Sequence, residues 1–121
     1  KNVIWITVIS SAEGKQGYIQ PSDALNTFAS FGSFPDHILV DEDGDLGKKF
    51  NAKTTPHIFI ADKNKNIVYQ GAIDDAGGSK FWTTDLNQST NFVKKVVNDI
   101  KSNKPLSVSK TRPYGCSVKY G

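Results

Sequence analysis

The sequence predicts an α/β protein in one domain. Short β-branched runs alternate with segments of helical periodicity, and two of these runs are separated by only five polar residues, as in a hairpin. The length of 121 residues fits a single domain, and 37% hydrophobic with 22% charged residues is a globular balance. No apolar run approaches the ~20 residues that span a bilayer, so no membrane partner is expected.

The first predicted strand covers residues 3–9. Its side chains are almost continuously apolar and β-branched, which is typical of a strand buried on both faces of a mostly parallel sheet. A polar loop at 10–20 precedes a helix that begins at Pro21 and ends at Gly32. The apolar residues of this helix recur three and four apart, at Leu25, Phe28 and Ala29.

A second strand is predicted at 37–40, followed by an acidic run at 41–45 and a short helical stretch at 46–50. A calcium loop would need glycine at its sixth position and glutamate at its twelfth. This chain has Leu46 and Ala52 there. We therefore interpret the run as an Asp-Gly turn whose acids cap the following helix.

Residues 57–61 and 67–70 are the strands of the predicted hairpin. A long loop is expected at 71–88, then a final helix at 89–102 and an extended tail at 104–121. One apolar stripe of the final helix is expected to cover a face of the sheet. It consists of Phe92, Val93, Val96, Val97 and Ile100.

The charge pattern argues against a nucleic-acid partner. The net charge of +3 comes from dispersed lysines, and the densest basic runs, Lys48-Lys49 and Lys94-Lys95, are only pairs, whereas a phosphate-binding surface clusters its cations. The lone Cys116 allows no internal disulfide, and with His37 and His57 it does not match a zinc site. No metal and no cofactor are expected.

The middle of the chain has a specific order of motifs. An acidic turn, a Lys-Lys-Phe-Asn-Ala stretch, Thr54-Thr55-Pro56 and the hairpin follow one another within residues 39–71. This order resembles the thioredoxin-like superfamily, and within it the redoxin branch of peroxiredoxin-like proteins related to alkyl hydroperoxide reductase and thiol-specific antioxidant. The segments 69–75 and 104–119 resemble one subgroup of uncharacterised peroxiredoxin-like proteins. The resemblance implies one thioredoxin-like domain at residues 1–121, with a mixed sheet flanked by helices.

The resemblance also implies a substrate-binding site at Thr55, Pro56 and His57. In the family the proline is cis and lies against the reactive cysteine, and the backbone of the preceding residue is free to pair with an extended thiol substrate. The residues themselves allow a plainer interpretation, in which a trans Pro56 simply opens a strand, since proline lacks a donor and extends the residue before it. We predict a cis Thr55–Pro56 bond, with ~2.9 Å rather than ~3.8 Å between its Cα atoms.

One departure from the family pattern governs the functional expectation. Family members carry a first strand and a helix whose amino end bears the reactive cysteine, because a helix amino terminus stabilises the thiolate. The given sequence contains neither before its strand at 3–9. Either a strand-helix unit of roughly 30 residues or more precedes it, or the protein is a degenerate relative. The chain as given is expected to be inactive in thiol-disulfide exchange.

Cys116 is the candidate catalytic residue. It acts as a resolving or regulatory thiol in a mobile tail flanked by proline and glycine, or it is a small apolar side chain buried under that tail. His57 is a candidate because it lies beside the proline motif and so near the reactive site of a full domain. It is a weaker one than Cys116, because a strand histidine is more often merely half-buried. His37 is expected to be structural. Asp74 and Asp75 either line a polar loop near the site or are solvated.

These expectations lead to two functions. In intact form the protein is a thiol-dependent oxidoreductase whose partners are thiol- or disulfide-bearing proteins or peroxides. The alternative is a catalytically inactive thioredoxin-fold module that holds an extended peptide beside Thr55-Pro56. A cysteine followed by helical sequence upstream of Lys1 would favour the first.

The implied sheet order generates a prediction about the folded sample. The absent first strand would be central, between the strands at 3–9 and 57–61, and unpaired buried groups cost ~1 to 3 kcal/mol each against a net stability of ~5 to 15 kcal/mol. We expect folded material to contain an upstream segment or to form a homodimer by strand exchange. Intact mass and light scattering test this together. A monomer of 13.3 kDa with a cooperative melting transition would contradict it.

Overall fold

The computed structural model describes residues 3–30, 32, 34–75 and 90–120. Strands and helices are interleaved there, so the predicted α/β class is confirmed. The chain divides into two compact units, Lys1–Ala52 with Val118–Gly121, and Lys53–Ser117. The strands are β1 (Ile6–Ile9), β2 (His37–Val40), β3 (Thr54–Thr55), β4 (Ile58–Ala61), β5 (Ile67–Gly71) and β6 (Cys116–Ser117). The helices are α1 (Ala24–Ser30), α2 (Asp45–Lys49) and α3 (Phe92–Lys101).

The first unit contains a parallel pair of strands, β1 and β2. Their register joins Ile6 with His37 and Ile9 with Val40. The strand predicted at 37–40 is confirmed, whereas β1 begins three residues later than predicted. Within the described residues β1 pairs with β2 alone, which gives a sheet two strands wide.

The expectation that β1 is buried on both faces is wrong. Ile4, Ile6 and Val8 are 66%, 51% and 39% exposed, and Leu39 on β2 is 45% exposed. Ile6, Val8 and Leu39 lie on one face of the sheet, because side chains alternate along a strand and the two strands are in register. A strand is buried on both faces only where a sheet is covered on both sides, and this face is open to solvent.

The helix predicted from Pro21 starts as a 3₁₀ turn at Pro21–Asp23 and continues as α1. Ala24 is its buried residue at 4% exposed, whereas Leu25, expected on the inner face, is 73% exposed. With seven residues, α1 has too few apolar positions for the periodicity to fix which face is buried.

The acidic run after β2 caps α2, as predicted. One carboxylate oxygen of Asp41 accepts the Leu46 N–H at 3.1 Å, and the other accepts the Gly47 N–H at 2.8 Å and the Ser10 hydroxyl at 2.7 Å. Partial burial opposes ionisation of this carboxyl, but the hydrogen bonds from Gly47, Ser10 and Leu46 and the charge of Lys48 outweigh it and lower the pKa of Asp41.

Tyr120 completes the first unit. Its hydroxyl donates to the Ala52 carbonyl at 2.8 Å, and the Lys48 ammonium lies 5.3 Å from the centre of its ring. The ring packs so closely on α2 that a Cβ added at Gly47 would lie 2.7 Å from the Tyr120 hydroxyl. The end of the predicted tail is therefore part of a packed unit.

The second unit contains the hairpin of β4 and β5, as predicted. The pair is antiparallel, with Ile58 opposite Gly71 and an irregular register after Ile60. In the turn, the Asp62 carboxylate accepts the backbone N–H groups of Asn64 and Asn66 at 2.9 and 3.0 Å. Such self-capped turns are the reason that Asp and Asn are enriched between hairpin strands.

The final helix is confirmed but shorter than predicted. Asn91 caps α3 by accepting the Lys94 N–H at 2.9 Å. Val96 from the predicted stripe is fully buried, whereas Ile100 is 38% exposed. Most of the long loop predicted at 71–88 lies outside the described residues.

A buried hydrogen-bonded cluster joins the hairpin to the tail. The Tyr69 side chain is fully buried, and its hydroxyl donates to the Ala72 carbonyl at 2.5 Å. The Thr111 hydroxyl lies 2.6 Å from that hydroxyl and accepts the Ala72 N–H at 2.9 Å. Gly71 has φ +142, and a Cβ there would lie 2.8 Å from the Thr111 nitrogen. The close approach of Thr111 therefore requires glycine at position 71.

Replacing Thr111 tests how much this cluster contributes to the free energy of unfolding. Thr111→Val keeps the shape but leaves the Ala72 N–H without its acceptor, so we expect it to lower the free energy of unfolding by ~1 to 3 kcal/mol. Thr111→Ser keeps the hydroxyl and should lose less. Urea denaturation of the two variants measures the difference. Equal stability of the two would show that the hydroxyl does not matter.

Candidate functional site

The strand β3, which the sequence reading did not predict, brings two candidate residues together. It pairs antiparallel with β6, joining Thr54 with Ser117 and Thr55 with Cys116. Thr55 and Cys116 were proposed separately, from the proline motif and from the tail. The structure makes them partners across one short ladder.

The Thr55–Pro56 bond is cis, as predicted. A side-chain hydrogen bond spans this peptide bond, because the Thr54 hydroxyl donates to the Pro56 carbonyl at 2.8 Å. Thr55 and Pro56 are both exposed. The motif therefore lies at the surface of the second unit.

Gly115 is a site residue that the sequence analysis missed. Its φ is +140, and a Cβ built on it would lie 2.8 Å from the Thr55 carbonyl carbon and 3.2 Å from the Pro56 Cδ. The tail therefore crosses the Thr55–Pro56 peptide at a distance that only glycine permits. The available signal was a glycine within the predicted extended tail, since glycine in an extended segment often marks a site where another backbone approaches closely.

Tyr114 fixes the tail just before this crossing. Its hydroxyl donates to a carboxylate oxygen of Asp74. Desolvation, this hydrogen bond and the charges of Asp74 and Asp75 together raise the pKa of Tyr114 to about 12. Asp75 accepts the Thr90 N–H at 2.7 Å. The expectation that this acidic pair is solvated holds for Asp75, which is exposed, whereas Asp74 is half-buried and bonded to Tyr114.

His57 is a half-buried residue with a structural bond. Its Nδ1 accepts the Lys53 N–H at 3.2 Å, and its ring stacks on Phe59 at 4.4 Å between centroids. Desolvation and the charge of Lys53 lower the pKa of His57. The imidazole is therefore neutral at pH 7, with its proton on Nε2.

Cys116 carries an exposed free thiol. The alternative in which Cys116 is a buried apolar side chain is wrong, because both residues of β6 are exposed. His37 lies on β2 in the other unit and is also exposed. Within residues 3–30, 32, 34–75 and 90–120, no three His, Cys, Asp or Glu side chains are grouped to hold a metal ion. No helix in the same part of the chain is long and apolar enough to cross a membrane.

The arrangement combines a backbone edge with a thiol. β3 offers the peptide groups of an extended strand, and β6 shows that an extended segment can pair with them. The Cys116 thiol on that segment is open to solvent. The candidate site, comprising Thr55, Pro56, Gly115 and Cys116, therefore consists of two paired extended segments with an exposed sulfur on one of them.

The Tyr114–Asp74 pair generates a titration prediction. Because the pKa of Tyr114 is raised, the pair contributes stability below pH 10 that is lost as the pH rises toward about 12. We expect the tyrosine ring carbon signal that titrates near pH 12 in NMR to disappear in Tyr114→Phe. In Asp74→Asn it should titrate at a lower pH than in the wild type but still above its ordinary value, because desolvation and the charge of Asp75 remain. An unchanged midpoint in Asp74→Asn would refute the pairing.

No family model and no curated protein matches this chain. Its fold is similar to that of the hypothetical protein SMc02350 from Sinorhizobium meliloti 1021, at 21% identity and a TM-score of 0.78, over 96% of this chain and 61% of that one. It is also similar to an uncharacterized conserved protein from Geobacillus kaustophilus, at 20% identity and a TM-score of 0.79, over 98% of this chain and 60% of that one. The chain thus spans about three fifths of the length of these proteins, and at such identities the likeness concerns the α/β fold alone.

Proposed function

We propose that the intact protein is a thiol-dependent oxidoreductase of thioredoxin-like fold, in the peroxiredoxin-like branch, acting on disulfides or peroxides. The observation that carries the proposal is the register of β3 and β6, which pairs Cys116 with Thr55 directly before Pro56. The motif order that resembles the redoxin branch supports the same function. The activity is proposed for the whole protein, and the chain spans about three fifths of the length of its structural neighbours.

The chemistry requires a thiolate in a favourable electrostatic setting. In disulfide exchange a thiolate attacks one sulfur of the substrate, a mixed disulfide forms, and the other sulfur leaves as a thiolate. His57 is neutral at pH 7, because burial and Lys53 lower its pKa, so it supplies no positive charge. The attacking thiolate in this proposal is on a helix amino terminus of the intact protein, and Cys116 is the second thiol that receives or resolves the disulfide.

The turnover of the 121-residue chain tests whether Cys116 acts without a second cysteine. We expect insulin reduction and peroxide consumption no faster than a free thiol gives, because the chain lacks a cysteine at a helix amino terminus. Turnover by this chain that is abolished in Cys116→Ser would instead make Cys116 the nucleophile.

The intact gene product tests the proposed activity itself and the roles of the two cysteines. It should turn over, and replacing its helix-start cysteine should abolish turnover, while Cys116→Ser should slow the step that regenerates the free thiolate. An intact protein with no cysteine other than Cys116, or with no turnover, would overturn the proposal.

The second candidate function is a binding module that holds an extended peptide beside Thr55-Pro56. The observation that favours it is the β3–β6 ladder itself, since it is a strand addition of the kind that peptide-binding domains use. Peptide binding that survives alkylation of every thiol, in an intact protein without turnover, would support this module over the oxidoreductase.

A further inference from the structure

We infer that Tyr114 is a positioning residue for Cys116. Its hydrogen bond to Asp74 fixes the chain two residues before the thiol and so holds that thiol in one place for reaction. The inference rests on the proposed oxidoreductase, in which Cys116 is the second thiol, and it adds the group that positions this thiol.

The reaction step concerned is the resolution of a mixed disulfide, in which the attacking cysteine of the intact protein is joined to a sulfur of the substrate. The Cys116 thiolate attacks the sulfur of that cysteine and forms a bond between the two protein sulfurs. The substrate sulfur leaves as a thiolate and takes up a proton, so the substrate disulfide is the oxidant. An intramolecular attack of this kind gains its rate from position, because the reacting groups do not have to meet by diffusion.

The first observation is that Asp74 is a fixed partner. It forms an antiparallel bridge with Asn91, the N-cap of α3. Beside it, the Ile73 carbonyl accepts the Phe92 N–H at 2.9 Å. Asp74 is also half-buried. A tail residue that is bonded to Asp74 is therefore attached to the start of a helix.

The second observation is the bond between Tyr114 and this partner. The Tyr114 hydroxyl donates to a carboxylate oxygen of Asp74, and the Tyr114 side chain is half-buried. Because the pKa of Tyr114 is raised to about 12, the phenol keeps its proton at neutral pH and remains a donor. Hydrogen bonds to an ionised acceptor are roughly twice as strong as those between neutral groups. The bond is therefore a firm attachment of the tail.

The third observation is that the chain is fixed again directly after Tyr114. Gly115 has φ +140, and a Cβ built on it would lie 2.8 Å from the Thr55 carbonyl carbon. Cys116 then lies opposite Thr55 in the register of β3 and β6. Its thiol is nevertheless exposed. The backbone is thus attached on both sides of Gly115 while the sulfur stays open to reaction, which is the combination that a resolving thiol requires.

A thiol introduced at Thr55 measures how well Cys116 is positioned. Residues directly opposite in an antiparallel pair have Cα atoms ~4.5 to 5.5 Å apart, within the range that a disulfide spans. Thr55→Cys should therefore form a disulfide with Cys116, and equilibration with glutathione gives its effective concentration. Adding Tyr114→Phe should lower this effective concentration about tenfold, because the freed segment samples more positions.

Three control variants are made in the same Thr55→Cys background. Tyr18→Phe is the matched control, since the Tyr18 hydroxyl also bonds to a carboxylate, that of Glu42, but in the first unit. It should leave the effective concentration unchanged. Asp74→Asn keeps an oxygen acceptor and should retain most of it. Asp74→Ala should lower it as Tyr114→Phe does, with no further loss when the two are combined, because both remove the same bond.

Two rates separate the position of the thiol from its reactivity. In the chain with its single cysteine, Tyr114→Phe should react with a small aromatic disulfide within about twofold of the wild-type rate, because an exposed thiol does not need a fixed position for that reaction. In a single turnover of the intact protein, Tyr114→Phe should slow release of the second substrate thiol about tenfold and leave the first attack unchanged.

Each contrary result has a distinct meaning. No disulfide in Thr55→Cys would contradict the register from which the positioning is argued. An effective concentration that Tyr114→Phe leaves unchanged would overturn the positioning role, and so would a lowered one with unchanged release of the second substrate thiol, because the bond would then be structural alone. No turnover by the intact protein would overturn the oxidoreductase itself, and the effective concentration distinguishes that failure from a failure of the positioning.

Discussion

The second unit depends on the need to satisfy one buried hydroxyl. Tyr69 is fully buried, and a buried phenol without partners is costly. Its partners are the Ala72 carbonyl and Thr111, which lies far along the chain. To bring Thr111 there, the tail runs beside β5, with Gln70 donating to the Ser109 carbonyl and accepting the Thr111 N–H. Residues 112–117, which end in β6, follow this attachment along the chain.

The tail is thus an integral part of the structure and not a loose extension. Tyr114 bonds to Asp74 in the second unit, and Tyr120 bonds to Ala52 in the first. Two glycines provide the space for other close approaches of the tail, Gly71 of β5 against Thr111 and Gly115 of the tail against Thr55. The expectation of a mobile tail came from its prolines and glycines. In this structure Gly115 permits close packing.

The parts of the fold that are coded locally could be predicted from the sequence. The β4–β5 hairpin, the helix near residues 92–101 and the Asp41 cap each depend on a turn or a periodicity that a short window contains. The burial of β1 could not be predicted, because exposure depends on which elements pack against a strand and a local pattern of apolar residues does not contain that information.

The candidate site was predictable only in its separate halves. Thr55 and Pro56 came from a resemblance and Cys116 from the scarcity of cysteine, but nothing in the sequence joined them. Their pairing arises from a two-residue ladder that is too short to have a pattern of its own. Gly115 and Tyr114 were missed for a similar reason, since their roles depend on groups that are distant in sequence, Thr55 and Asp74.

The hydrogen bond from Lys53 to His57 makes the start of β3 sensitive to acid. Nδ1 can accept the Lys53 N–H only while the ring is neutral. The pKa of His57 is lowered, first by desolvation and then by Lys53, so the unfolded chain takes up this proton more readily than the folded one. The stabilisation from the neutral ring is complete above pH ~6.5 and is lost as the pH falls through the lowered pKa. A protonated ring cannot accept the Lys53 N–H, so acid removes the hydrogen bond that joins Lys53 to His57 across the two residues of β3.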